Sequence, residues 1–319
     1  MVTQSHAPGR PVVKTLCTAL LAAVALFAAL LFGPAPGRTA PRGEIVAICD
    51  TEVAPYRALL EGLKKSCDCE LRVIPPEEAA REGLEWRLKT EGVRAVLAVG
   101  LRAREAVEGL RELPVLLTMV PNVAPWVAAQ PNRAGIEMSL SPRQHLEALR
   151  RVFPRARRIG VIFDPAQTGA YVRDAQAAAA ALNLTLDARE IVRSGELSRH
   201  LEELQGRVDV LWLIPDPTVL QGENLGVLLL YSFESRVPVY GFARKYVEQG
   251  ALAASQVDVA ALGAQVAEVL RRLPSLPTGT GPRWEYSRAA QLVLNQKIAR
   301  KMGIVFDPAV LEAAADVVR

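Results

Sequence analysis

Asp164 and Asp216 are the residues that first suggest chemistry. Each follows an apolar, β-branched run (Ile159–Phe163 and Val208–Ile214), and each is followed directly by proline. Two carboxylates so placed could share general acid–base work. The alternative is that each caps its own turn, as Asx side chains beside proline do. Other catalytic patterns are missing. His145, in Gln144-His145-Leu146, and His200, among charged neighbours, fall in helical patterns where a solvated face accounts for them. No Gly-x-x-x-x-Gly-Lys-Ser/Thr phosphate loop occurs, and the turn after the first strand reads Cys49-Asp50-Thr51-Glu52 instead of a glycine fingerprint. A Gly-x-Ser-x-Gly elbow is absent too. Cys49, Cys67 and Cys69 lack partners at metal-site spacings. They read as inert thiols or as a single disulfide, Cys49 with Cys67 or Cys69, a Cys-x-Cys pair closing on itself being strained. The chain reads as a binder and not an enzyme, with no cofactor and no metal.

The elements that must position these residues alternate regularly. Apolar runs at Glu44–Cys49, Leu71–Ile74, Ala95–Val99, Val115–Val120, Ile159–Phe163, Leu184–Ile191, Val208–Ile214 and Val237–Phe242 have the look of parallel strands covered on both faces. Helical patterns lie between them: Tyr56–Lys65, Glu77–Leu88, Ala103–Leu110, Pro142–Val152, Thr168–Leu182, Gly195–Leu204 and Leu225–Glu234. Ser141 before Pro142 is a good helix start. Alternation of this kind means an α/β, doubly wound architecture. The pattern runs twice, from Gly43 to about Met138 and from Arg158 to about Phe242, which predicts two lobes around a cleft. Ligands in open α/β sheets sit at the carboxyl ends of strands. The loops there supply the candidate ligand-binding residues: Thr51, Leu101, Arg102, Asn122, Asp164, Gln167, Thr168, Asp216 and Thr218, with Phe242 closing the last strand. Tyr56, Trp126 and Tyr171 are candidate aromatic walls, whereas Trp212, inside an apolar strand, is expected in the core.

Composition agrees with packed domains. Of 319 residues, 50% are hydrophobic and 23% charged, while aromatics at 5% argue against a stacking surface for single-stranded nucleic acid. The net charge of +4 includes Arg10 and Lys14, which lie in a separate N-terminal segment. There, an uncharged run from Thr15 to Phe32 ends at Gly33, Pro34, Pro36 and Gly37. Basic start, apolar centre and small-residue break describe an export signal over residues 1–37, and its length also suits a retained membrane anchor. Either places the remainder outside the cytoplasmic membrane. The run Arg150, Arg151, Arg155, Arg157 and Arg158 is read as a solvated turn or a contact with a membrane partner or anionic lipid; no nucleic-acid partner is expected.

Several segments, taken in order, carry a family likeness. Leu140-Ser141-Pro142-Arg143-Gln144-His145-Leu146-Glu147-Ala148-Leu149, followed by Arg157-Arg158-Ile159-Gly160-Val161-Ile162-Phe163-Asp164-Pro165, resembles bacterial ABC transporter substrate-binding proteins of the type I periplasmic-binding fold. Val208–Asp216, Val237–Phe242, Glu248–Ala254, Asn295–Ile304 and Pro308–Leu311 continue the resemblance over about residues 44–318. Some members of that family bind aromatic amino acids. The resemblance implies two lobes: residues 43–138 with 252–275 returning to them, and residues 139–251 with 283–319. It implies a periplasmic, monomeric protein that closes on a small ligand and presents it to an ABC permease. The membrane would be met only through the N-terminal segment or that permease. Departures bear on the ligand. Gly100-Leu101 stands where the family has Gly-Thr, Pro121-Asn122 in its Thr-Asp-Pro segment, and Asp164-Pro165 for Asn-Pro. An Asp there suits a ligand amine, and a helix start beside Arg102 suits a carboxylate, so the expected ligand is zwitterionic or amide-bearing. A tethered sensor or a hydrolase using the same cleft would be the alternatives.

Overall fold

The computed structural model describes residues 44–275 and 283–319, all within the unit Gly43–Arg319. The predicted export segment lies outside the described residues. Thirteen strands are seen among those described: β1 Ile45–Ile48, β2 Leu71–Ile74, β3 Ala95–Val99, β4 Val115–Thr118, β5 Arg133–Glu137, β6 Arg158–Phe163, β7 Thr185–Glu190, β8 Val210–Trp212, β9 Val239–Gly241, β10 Ala253–Val257, β11 Trp284–Tyr286, β12 Ala290–Asn295 and β13 Asp316–Val318. They form two sheets. The first runs β11-β5-β4-β3-β1-β2 and the second β13-β12-β10-β9-β8-β6-β7. Pairing is parallel throughout the first sheet, and in the second only β10 with β12 is antiparallel.

The doubling expected from the sequence is therefore topological. Around β1 the order is second, first, third, fourth, fifth strand, and around β6 the same order repeats as β7-β6-β8-β9-β10. Each sheet reverses its winding beside its first strand, between β1 and β3 and between β6 and β8. Those are the crevices where open α/β sheets take ligands. Strands β1, β3 and β4 are buried at every residue, which is why they read as unbroken apolar runs. β7 is an edge strand of Thr-Leu-Asp-Ala-Arg-Glu with half-buried residues at its centre, paired in register Arg158↔Thr185 to Phe163↔Glu190.

Two lobe boundaries differ from the expected ones. β10 still belongs to the second sheet; the return to the first lobe comes at the helix Val259–Arg272, which packs on the helix Ala54–Ser66. β11 pairs with β5 of the first sheet, so residues 283–286 belong there and not to the second lobe. The physical reason is pairing demand: β5 and β10 each need an outer partner for their backbone groups. β5 and the three C-terminal strands carry no long apolar run and were not legible as strands.

Three segments cross between the sheets: β5 to the helix Pro142–Val152, β10 to the helix Val259–Arg272, and β11 to β12. They lie side by side, with Ser287 N–H donating to Ser139 O at 3.3 Å and Asp258 N–H to Ala289 O at 3.1 Å. A glutamine from each lobe straps the middle segment. Gln144 Nε2 donates to Ser287 O at 3.0 Å, and Gln265 Nε2 donates to Tyr286 O at 3.0 Å while its Oε1 accepts Arg288 N–H at 2.9 Å.

The helix Pro142–Val152 starts as expected on Ser141, and Gln144 completes a reciprocal cap, its Oε1 accepting Ser141 N–H at 2.9 Å. Its His145 corrects the solvated-face reading. The ring is buried against Trp212 (5.7 Å between centroids) and Tyr240 (6.1 Å), and burial holds its pKa down at about 3. His200 is buried as well, on the inner face of the helix Leu197–Leu204. Trp212 is core, as expected.

The disulfide reading is also corrected: Cys67 is bonded to Cys69, and Cys49 is a free, buried thiol. Parallel register explains it. Ile45 faces Leu71 and Ile48 faces Ile74, so Cys49 leaves β1 at the carboxyl end while Cys69 enters β2 at the other. At about 3.3 Å per residue they stand roughly 20 Å apart along the strands, far beyond disulfide reach. Burial, with Asp50 beside it, pushes the Cys49 thiol up to about 11, which makes it unreactive.

Candidate functional site

The loops leaving β6 and β8 meet through their aspartates. Asp216 is fully buried and Asp164 nearly so, at 7% exposure. Asp216 Oδ1 accepts the N–H groups of Thr218 (3.0 Å) and Val219 (3.1 Å). Its Oδ2 accepts the N–H of Asp164 (2.8 Å) and the hydroxyl of Thr168 (2.5 Å). Asp164 reaches back: Oδ1 accepts Ala166 N–H at 2.9 Å and Oδ2 the Thr218 hydroxyl at 2.7 Å. Four of the sequence-predicted residues thus form one interlocked network, Asp164, Thr168, Asp216 and Thr218. Every carboxylate oxygen in it has a donor. The arrangement holds two loop ends in register beside the switch point. Gln167 stands exposed on the first turn of the helix Pro165–Ala181, and Phe242, half-buried, meets the Tyr246 ring in a tilted contact at 4.7 Å between centroids.

In the first lobe the loops after β1, β2 and β3 converge. Arg102 lies 3.5 Å from Asp50 and forms an ion pair with Glu77. Asp50 accepts Glu52 N–H at 3.1 Å, and Arg57 donates to Thr51 O at 3.1 Å. A cavity of about 440 Å³ opens here, lined by Cys49, Asp50, Thr51, Glu52, Val73, Pro75 and Glu77. Gly100 is required beside it: at φ 86° it adopts a conformation side chains rarely take, and a Cβ would come within 2.4 Å of the Tyr56 hydroxyl. Tyr56 therefore borders the loop Gly100-Leu101-Arg102, where Leu101 is exposed. Burial, then Cys49 and Asp50, raise the Tyr56 pKa above its ordinary value.

The loop after β4 is held by a residue the sequence reading missed. Glu137, at the end of β5, is buried and accepts the N–H groups of Asn122 (3.1 Å), Val123 (2.9 Å) and Met138 (3.0 Å). Met119 and Asn122 both have positive φ, 56° and 50°, so this loop is kept in a costly shape by that carboxylate and by the strands around it. Burial raises the Glu137 pKa, with the three backbone donors opposing. Only recognition of β5 could have exposed it. The Asn122 side chain is free to face solvent.

The other two candidate aromatic walls have partners of their own. Trp126 is covered by the Arg104 guanidinium, 3.8 Å from its ring centroid. Tyr171 is half-buried; its hydroxyl donates to Leu140 O at 3.2 Å and its ring meets Tyr286 at 6.5 Å. Burial holds its pKa well above the usual tyrosine range. Among the described residues no group of His, Cys, Asp and Glu could hold a metal ion, and no helix is long and apolar enough to cross a membrane.

Comparison with known proteins agrees with this architecture. The family model for ABC transporter substrate binding proteins matches residues 84–318. A tyrosine-binding protein of Clostridioides difficile (strain R20291) is 25% identical over 175 residues, 52% of this chain and 50% of that protein; the chain thus spans about half the length of this curated relative. Among solved structures, a ligand-free, open substrate-binding protein with adhesive properties from Clostridium difficile aligns with TM-score 0.64 at 18% identity, covering 86% of this chain and 98% of that one. An ABC domain from Streptococcus pneumonia in complex with L-Trp aligns with TM-score 0.52 at 18% identity, covering 86% and 99%. These likenesses show the fold, that of type I periplasmic binding proteins. With most of its length matched by the family model, the chain belongs to the ABC transporter substrate-binding protein family.

Proposed function

We propose that the protein is the extracytoplasmic binding component of an ABC transporter, capturing a small amino-acid-like ligand and presenting it to a permease. The observation that carries this reading is the polar cavity at the carboxyl ends of β1 and β2, lined by Asp50, Glu52 and Glu77, with the Arg102 guanidinium held beside it by Asp50 and Glu77. An acidic lining with an arginine at its edge suits a ligand ammonium, with Arg102 turned toward a carboxylate. The relatives that bind tyrosine and L-Trp support the same class. In this reading Thr51, Arg102, Asn122 and Gln167 are the polar ligand contacts, and Leu101, Phe242 and Tyr56 the apolar walls. Asp164, Thr168, Asp216 and Thr218 shape the second-lobe rim. The lobes close by bending at the three crossing segments, which removes the ligand from water. Export by residues 1–37 and action as a monomer belong to the same proposal.

The test is a thermal-shift and calorimetry screen of the twenty amino acids and simple amines against the purified protein. The expected result is a raised melting temperature with one zwitterion, abolished by Arg102→Ala. Failure of every amino acid to bind, or turnover of a screened ester or amide, would overturn it.

A further inference from the structure

At the opposite end of the second sheet from the candidate cleft lies a feature the proposed function does not use. Arg158 opens β6, and the turn before it and the end of the helix Pro142–Val152 bring several arginines together. A cavity of about 390 Å³ is lined there by Arg150, Pro154, Arg157, Leu182 and Asn183, with no carboxylate among them. Arg150 donates to Leu182 O at 3.4 Å, and Arg157 to Pro154 O (3.2 Å) and Ala156 O (3.0 Å). These carbonyl contacts orient each guanidinium and leave most of its five N–H donors unused.

Several arginines of the protein meet carboxylates, as Arg72, Arg102, Arg189, Arg244 and Arg288 do, and beside the pocket Arg158 pairs with Asp209. Among the described residues Arg150, Arg151, Arg155 and Arg157 meet none within ion-pairing distance. Two helices end here, Pro142–Val152 and Pro165–Ala181. Their carbonyl ends offset only about half a charge each, against the two lining guanidiniums of Arg150 and Arg157, and the neighbouring Asp209 is already paired with Arg158. A net positive pocket remains, with Leu182 and Pro154 as an apolar wall and the exposed Asn183 beside them. Its volume lies within the range of small-molecule sites.

We propose that this pocket binds a phosphate-bearing ligand, the two guanidiniums of Arg150 and Arg157 gripping the phosphate and the Leu182–Pro154 wall taking its organic part. Two forks on one dianion match guanidinium geometry better than they match a lone carboxylate. A soluble phosphate monoester and an anionic phospholipid headgroup share this chemistry.

The experiment separates the two sources. The full-length protein is titrated with glycerol 3-phosphate by calorimetry, and separately sedimented with vesicles of phosphatidylglycerol or of phosphatidylcholine. Expected is saturable binding in one arm, weakened by salt. In Arg150→Gln/Arg157→Gln it should fall at least about tenfold, the weight of one charge-assisted hydrogen bond, with an unchanged melting curve. Arg150→Lys/Arg157→Lys keeps the charge and loses the fork, so it too should bind more weakly than the parent. Binding to glycerol 3-phosphate identifies a soluble ester, and preference for phosphatidylglycerol over phosphatidylcholine identifies the headgroup. Binding in neither arm, or a lysine variant equal to the parent, overturns the proposal.

Discussion

Asp164 and Asp216 carry the same functional group, yet they answer differently to loss of one oxygen. Around Asp216 four donors converge, two on each oxygen. In Asp216→Asn the amide would turn its own N–H bonds toward donors. With at least one buried backbone N–H left unpaired, a loss of about 1–3 kcal/mol is expected, read as a lower melting temperature. At Asp164, one oxygen takes a backbone N–H and the other a hydroxyl, which can rotate to accept from an amide. Asp164→Asn is therefore expected to melt within about 0.5 kcal/mol of the parent. Equal losses in both variants would sink this account of the loop lock. His145 makes a second prediction. Its folded pKa, near 3, lies below the usual unfolded value of about 6.5. Unfolding then takes up a proton in acid, so the contribution of the neutral ring is complete above about pH 6.5 and is lost as pH falls toward 3. The slope is up to about 1.4 kcal/mol per pH unit. Nδ1 has no partner, so His145→Phe should remove this slope at little cost in stability at pH 8. Denaturant titrations at pH 5 and 8 decide it.

At the scale of elements, two glycines place the helix Val259–Arg272 against the helix Ala54–Ser66. A Cβ on Gly62 would lie 1.9 Å from Ala260 O, and one on Gly263 2.3 Å from Leu63 N. Both clashes are with backbone, so no side chain can yield. Helical propensity favours alanine by about 1 kcal/mol, but here overpacking of roughly 1–3 kcal/mol wins, and Gly62→Ala should destabilise. Gly226, exposed in the helix Asn224–Ser235 with nothing within 4 Å, supplies the contrast. Gly226→Ala should stabilise by about 0.5–1 kcal/mol. Thermal melts of the two variants should move in opposite directions; movement in the same direction would refute the packing argument.

For the whole molecule, motion between the lobes must pass through three adjacent segments, and Gln265 is the buried strap on the middle one. Gln265→Leu is expected to free the Arg288 amide and the Tyr286 carbonyl while leaving both sheets intact. Hydrogen exchange should then rise over residues 285–289 and stay unchanged in β1 and β3. Exchange that rises across both sheets instead would make Gln265 a general core residue and not a hinge strap. The phosphate pocket stands apart from this motion, at the far end of the second sheet.

Much of this protein could be read from residue order. Continuous apolar runs announce strands buried on both faces, because their period leaves no solvent side, and β1, β3, β4, β6 and β8 sit in or within two residues of such runs. Repetition of strand and helix carried the two-lobe plan, and strand ends carried the loops around Asp50, Gly100, Asp164 and Asp216. Local signals could go no further than that. β5, β10 and β11 are strands through their neighbours' unpaired backbone, a long-range demand with no local mark. His145 reads as polar in a helix, and only docking on Trp212 and Tyr240 turns that face inward. Cys49 and Cys69 lie close in sequence order but leave and enter parallel strands at opposite ends, so register decided the disulfide. The two aspartates were visible as candidates, but whether a carboxylate meets ligand or loop depends on which donors the other strand end brings within reach. Tertiary structure brought Thr168 and Thr218, and with them a hydrogen-bonded lock between the two loops.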